Sequence, residues 1–152
     1  MGSTDGPHET GPQTFRDLGP EDLDWLAAQR QCVERLLEGN PDALDKYRTS
    51  AGKLGVIRAV LKGKFFRPDQ TFELQGLGII LGDVLAERLG MMWKMVEDRY
   101  GVSPCLVREG TSDVLYPQTM ISKRIERGEE VDVFDLFSWT VAKVGELRSK
   151  KQ

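Results

Sequence analysis

The sequence predicts an α+β fold, in which a three-stranded antiparallel meander is covered by about five helical segments. Two observations support this prediction. Apolar residues recur at helical spacing before residue 90 and again after residue 118. The stretch between them contains short strand-like runs that are separated by Gly-containing turns. Elements that are grouped by type, with no alternation of strand and helix, are typical of α+β proteins.

Three helical segments are predicted before the sheet. The first begins near Pro20, a residue that suits the first helical turn. The second covers residues 42–62, and Gly52, with the preceding Thr-Ser pair, favours a break into two pieces. The third runs over residues 71–89, with Gly90 placed for a left-handed C-terminal cap. All three have the apolar periodicity of helices that cover a sheet.

The predicted sheet and the last helices follow in order. Strands are expected at residues 91–98, 105–108 and 114–116, joined by turns that contain Gly101 and Gly110. Two helical segments then cover residues 119–127 and the stretch from about residue 132 onward. A sheet of three strands requires such helical cover to be stable.

The chain of 152 residues has room for one domain. Residues 1–17 are rich in Gly, Pro and Thr without periodicity, and a flexible tail is predicted there. Residues 18–149 are expected to form a single α+β domain, followed by a polar tail at 150–152. The one histidine, His8, falls in the first tail. This excludes Ser-His-Asp and Cys-His catalysis from the domain, together with the common His/Cys zinc sites.

No run approaches 18 apolar residues, and the N-terminus lacks the basic and apolar regions of a secretory signal. A cytoplasmic protein with no membrane span is therefore expected. Cys32 and Cys105 are far apart in apolar surroundings, which favours two buried free thiols, although a disulfide stays open as an alternative. No metal site and no cofactor are expected, because neither calcium-loop nor phosphate-loop spacing is present.

The series Gly76, Gly78 and Gly82 resembles a phosphate-binding loop only in part. A dinucleotide fingerprint requires glycine where Leu81 stands, and a P-loop requires Lys where Asp83 stands. Glycine in a helix costs about 1 kcal/mol relative to alanine. Three glycines in seven residues therefore predict that another element packs tightly against this helix, or that the helix bends.

The net charge of −3 is the sum of two parts of opposite sign. Residues 46–68 carry seven basic residues and no acid, and the other 129 residues have a balance of −10. One interpretation is a solvated helix face that pairs with acids elsewhere in the molecule. The other is a docking surface for an acidic protein or for phosphates. The acidic body disfavours nucleic acid. The seven residues are Lys46, Arg48, Lys53, Arg58, Lys62, Lys64 and Arg67.

A second candidate site is a pocket formed by Asp98, Tyr116, Lys123 and Arg124. Clustered carboxylates beside basic residues can perform acid–base chemistry in a small-molecule or phosphoryl-handling enzyme. The structural alternatives are a turn role for Asp98, a helix-cap role for Asp132, and an ion pair between Arg124 and a strand-end acid. No catalytic residue is assigned.

Several sequence blocks occur in order between residues 74 and 137. They are Leu77-Gly-Ile-Ile-Leu-Gly-Asp-Val-Leu85, Leu89-Gly with Trp93, Val96-Glu-Asp-Arg-Tyr-Gly101, Tyr116-Pro-Gln-Thr-Met-Ile-Ser-Lys-Arg124, Gly128-Glu129 and Val133-Phe-Asp-Leu-Phe137. Together these blocks resemble a bacterial family of domains of unknown function, number 3806. The resemblance covers residues 74–137, and the basic segment lies outside it. It implies a bacterial source and the helix, meander, helix order, and it implies no catalytic residue.

The sequence therefore favours a non-enzymatic protein–protein interaction module that binds a partner with an acidic surface through the basic segment. An immunity or antitoxin-like protein is one version of this prediction. The first alternative is an enzyme that uses the carboxylates with Lys123 or Arg124. The second is a structural domain that self-associates through its glycine-containing helix. The oligomeric state stays open.

Overall fold

The computed structural model describes residues 12–150, with side chains up to residue 146. Within this range the chain forms six α-helices and a four-stranded antiparallel sheet, which confirms the α+β class. Two 3₁₀ turns, Arg35–Leu37 and Pro117–Thr119, complete the fold. The elements are β1 (Thr14–Arg16), α1 (Pro20–Glu34), α2 (Pro41–Tyr47), α3 (Ser50–Lys62), α4 (Thr71–Leu89), β2 (Met92–Asp98), β3 (Gly101–Val107), β4 (Val114–Leu115), α5 (Ser122–Glu126) and α6 (Val133–Lys150).

The sheet has the order β1-β2-β3-β4, so the predicted three-stranded meander is short by one strand. The additional strand, β1, comes from the segment predicted as a tail, and Phe15 pairs with Val96 at the edge of β2. All three residues of β1 are exposed. A strand with no buried face lacks the alternation of apolar and polar residues from which a strand is predicted. Residues 1–11, including His8, lie outside the described residues.

Ion pairs hold the connection between β1 and α1. The Arg16 guanidinium lies 2.7 Å from the Asp22 carboxylate, and Lys94 of β2 pairs with Asp17. Asp22 also accepts a hydrogen bond from the backbone N–H of Gly19 at 2.8 Å. The bond from Arg16, and then the bond from Gly19, lower the pKa of Asp22. The chain is thereby turned from the sheet edge into the first helix.

The predicted break in the second helical segment is confirmed. The hydroxyl of Thr49 accepts a hydrogen bond from the backbone N–H of Gly52 at 2.9 Å and caps α3. Helix α4 ends at Gly90, whose φ of 66° is the left-handed C-cap conformation that the sequence predicts. The helix boundaries thus follow the local capping residues.

Helix α4 runs through the middle of the core, and its glycines permit the tight packing that the sequence predicts. A Cβ added at Gly76 would lie 2.2 Å from a backbone oxygen of α1. At Gly78 it would lie 2.4 Å from the carbonyl oxygen of Gln118, and at Gly82 it would lie 2.4 Å from the ring of Trp93. These glycines are buried against elements of the same chain, so their surfaces are already occupied.

Both cysteines are free, which excludes the disulfide alternative. Cys105 is buried, as expected, whereas Cys32 is only partly buried, which corrects the expectation for that thiol. Burial raises the pKa of Cys105 to about 11. In residues 12–150 no helix is long and apolar enough to cross a membrane.

Candidate functional site

Three partly buried side chains from α1, α4 and β2 form a polar network. Arg30 donates two hydrogen bonds to Asp83, at 2.8 Å from Nε and 2.9 Å from Nη2. The indole N–H of Trp93 donates to the same carboxylate at 3.0 Å. Burial is the largest single effect and lowers the pKa of Arg30. The hydrogen bonds to Asp83, the charge of Asp83 and the charges of neighbouring groups together outweigh burial, so the pKa is raised overall. The network connects the start of β2 to α1 and α4.

A cleft of about 320 Å³ opens beside this network. It lies between the β1–α1 connection, the first turns of α1 and the start of β2. Its charged wall includes Arg30 and Glu109, and its apolar lining consists of Leu18, Leu23, Leu26, Met92 and Trp93. An apolar depression with a few polar groups on its wall is the usual form of a binding site. Sequence reasoning missed it, because its lining residues come from segments that are distant along the chain.

A second cleft, of about 350 Å³, lies between α5 and α6. Its lining includes Arg124, the exposed Trp139 and four acids, Glu129, Glu130, Asp132 and Asp135. The carboxylate of Asp132 accepts hydrogen bonds from the backbone N–H groups of Phe134 and Asp135, at 3.0 and 3.1 Å. This confirms the predicted helix-cap role of Asp132. Within residues 12–150, no cluster of three or more His, Cys, Asp or Glu side chains is arranged to hold a metal ion.

The four residues of the predicted pocket are placed as follows. Asp98 accepts a hydrogen bond from the backbone N–H of Tyr100 at 2.8 Å, which is the expected turn role. The hydroxyl of Tyr116 accepts from the Gln13 side chain at 3.2 Å. Lys123 is exposed, and Arg124 donates to the Met120 carbonyl at 2.6 Å. Of the four, only Arg124 lines one of the two described clefts, the one between α5 and α6. Arg124 makes no described ion pair with a strand-end acid.

The seven basic residues are divided between the two ends of α3. Lys46 and Arg48 precede this helix, which is about 20 Å long at 1.5 Å per residue. Lys53 is drawn inward, where its ammonium donates to the Tyr47 carbonyl at 2.7 Å. Arg67 is paired with Asp69 at 3.1 Å and is the one member of the seven with a described carboxylate partner. Within the described residues, ion pairing therefore accounts for one of the seven basic residues.

The remaining three cations, Arg58, Lys62 and Lys64, are exposed at the C-terminal end of α3. We call these three residues the basic surface. Arg58 and Lys62 lie one turn apart on the exposed side of the helix, and the Arg58 guanidinium stacks 4.7 Å from the ring centroid of Phe134. Phe65, which follows Lys64, is 60% exposed. Phe66, the next residue, packs against the core instead.

The backbone at the end of α3 places Lys64 in an unusual conformation. The N–H of Phe65 bonds to the carbonyl of Val60 at 3.2 Å, and the N–H of Lys64 bonds to that of Leu61 at 3.2 Å. These two bonds define a Schellman motif, in which glycine normally occupies the left-handed position. Here Lys64 occupies it, with φ at 52°. A basic side chain thus stands at a position where glycine would be less strained.

The fold is similar to that of one solved protein from Bacteroides thetaiotaomicron VPI-5482, determined at 1.50 Å resolution. The TM-score is 0.72 and the identity is 16%, with 91% of this chain and 51% of that chain covered. At this identity the likeness establishes the fold alone, and the chain spans about half the length of that protein. A comparison with curated proteins gave no match.

A family model matches residues 53–137, a longer stretch than the resemblance seen in the sequence. Five of the seven basic residues, from Lys53 to Arg67, lie inside this match, which corrects the expectation that the basic segment lies outside it. The match covers more than half of the 152 residues. The chain therefore belongs to the family described as domain of unknown function DUF3806.

Proposed function

We propose that this protein is a non-enzymatic binding module whose basic surface docks on an acidic surface of another protein. The observation that supports the proposal is that Arg58, Lys62 and Lys64 are exposed and have no described ion-pair partner, which would be a carboxylate within 4.0 Å. Unpaired cations that cluster at one helix end attract a partner of opposite charge and guide its approach.

The apolar neighbours of the basic surface fit a protein partner. Phe65 is 60% exposed directly beside Lys64, and Phe134 supports the Arg58 side chain by stacking. Aromatic residues and arginine are enriched at the centre of protein interfaces. A long polyanion such as nucleic acid fits less well, because the rest of the chain carries a balance of −10 and would repel it.

The proposal is tested by reversing the charge of the basic surface. The purified protein is used to capture partners from a lysate of its source, and each captured protein is then purified and its Kd measured. The triple variant Arg58→Glu, Lys62→Glu, Lys64→Glu should weaken binding at least tenfold. Binding of the unmodified protein should also weaken between 50 and 300 mM salt, roughly the range over which exposed charges become screened.

A matched control reverses three exposed basic residues elsewhere, with the substitutions Arg35→Glu, Arg88→Glu and Lys123→Glu. This control changes the net charge equally and should leave the Kd within about twofold. The proposal fails if no stoichiometric partner is captured, or if the two triple variants weaken binding equally. Tighter binding of a single-stranded oligonucleotide than of any protein would also overturn it.

A further inference from the structure

Among the residues that the structure describes, none pairs with the outer edge of β2 at its start, and we call this the open edge. β2 spans Met92–Asp98, but β1 pairs with its residues Met95, Val96 and Glu97 and then turns away into α1. Residues 92–94 pair with β3 on their other side, and no further backbone hydrogen bond of theirs to a described residue is present. In an antiparallel ladder, successive residues direct their N–H and C=O groups to alternate sides. At least one of these three residues therefore presents both groups to the open edge.

The open edge lies directly against the apolar cleft. Trp93 belongs to the edge and also lines the cleft, where Leu26 is buried beside it. Two further lining residues are exposed apolar side chains, Leu23 at 55% and Met92 at 44%. Arg30 uses Nε and Nη2 for Asp83, so its Nη1 atom is without a described partner on the cleft wall. Unpaired backbone groups and an unfilled apolar depression thus occur together.

We infer that this edge receives an extended peptide segment of a partner protein. The segment adds as a short strand alongside residues 92–94, continuing the line of β1. Its inward side chain, which is aliphatic or aromatic, enters the cleft between Leu23 and Trp93. Addition of a strand to an exposed sheet edge is a recurrent mode of peptide recognition, with affinity from main-chain bonds and specificity from a side-chain pocket. This surface shares no residue with the basic surface.

The experiment selects a ligand from a phage-displayed library of random nine-residue peptides. The strongest peptide is synthesised with a fluorescent label, and its Kd is measured by anisotropy. Leu23→Glu places a charge in the cleft at an exposed helix position and should weaken binding at least tenfold. The matched control is Leu36→Glu, a substitution of another exposed leucine, 42% accessible, that does not line the cleft. It should leave the Kd within about twofold.

Amide hydrogen exchange by NMR then distinguishes strand addition from simple apolar binding. At least one amide among residues 92–94 should exchange rapidly in the free protein and become protected at least tenfold when the peptide is bound. The inference is wrong if no peptide is enriched, if Leu23→Glu and Leu36→Glu weaken binding equally, or if no amide at 92–94 gains protection. The triple charge reversal of the basic surface should not change this Kd, so the two proposals fail separately.

Discussion

Replacing Gly78 with alanine tests the close contact between α4 and the 3₁₀ turn Pro117–Thr119. The new Cβ would lie 2.4 Å from the carbonyl oxygen of Gln118 and 2.5 Å from that of Pro117. Carbon–oxygen contacts in proteins are usually about 3.3–3.6 Å. Because both oxygens belong to the backbone, a rotamer change cannot relieve the contact. Helix α4 and the 3₁₀ turn must separate by about 1 Å.

The loss of stability can be estimated from the contacts that this separation disrupts. Overpacking of a core costs about 1–3 kcal/mol. The buried amide of Gln118 would also be pulled away from Gln29, to which it donates a hydrogen bond at 2.8 Å. Loss of a buried hydrogen bond costs about 1–3 kcal/mol. Alanine returns about 1 kcal/mol of helix propensity. We expect Gly78→Ala to lower the free energy of unfolding by about 3 kcal/mol.

The assay is urea unfolding followed by circular dichroism, with Tm from a thermal scan. A loss of about 3 kcal/mol corresponds to a Tm lower by about 6–12 °C for a chain of this size. The matched control is Gly55→Ala in α3, where an added Cβ has no atom within 4 Å. It should raise stability by about 1 kcal/mol from propensity alone. If Gly78→Ala is as stable as the unmodified protein, the close approach is refuted.

Three further predictions concern the backbone, the polar network and the thiols. Lys64→Gly removes the strain of a left-handed backbone at residue 64 and should raise the free energy of unfolding by about 0.5–1 kcal/mol, measured by urea unfolding. An unchanged free energy of unfolding would contradict the Schellman motif at the end of α3. Asp83→Asn weakens the partly buried pair with Arg30 and should cost about 2 kcal/mol, whereas an unchanged midpoint would count against the network. At pH 8, Cys32 should react with a thiol reagent well before Cys105, whose pKa burial raises to about 11. Mass spectrometry of the labelled peptides measures the order of reaction. Faster labelling of Cys105 would contradict this prediction.

The helical part of the fold and its tight packing were predictable from local patterns. The break before α3 follows from Thr49 and Gly52, and the end of α4 follows from Gly90. The three glycines of α4 predicted a close approach because glycine in a helix is costly without one. In each case the residues that carry the information are neighbours in the chain.

Strand β1 and the cleft were not predictable in the same way. β1 contains Phe15 but buries none of its residues, and it exists because the edge of β2 offers it partners. The cleft arises where that pairing stops, so its lining depends on how far β1 extends along β2. The contacts of the predicted pocket residues were also not predictable from local pattern. Tyr116 contacts Gln13, which is distant along the chain, and Arg124 contacts the carbonyl of Met120.

The sequence by itself determined the α+β class, the order of the helices, the family resemblance and the excess of positive charge between residues 46 and 68. These properties depend on periodicity, capping and composition, which are local. Among the described residues, the tertiary structure alone decided which cations cluster without a carboxylate partner, because α3 separates the seven along about 20 Å and turns Lys53 inward toward Tyr47. It alone also decided where a strand edge is left unpaired. Contacts between distant segments set both outcomes, and no local pattern records them.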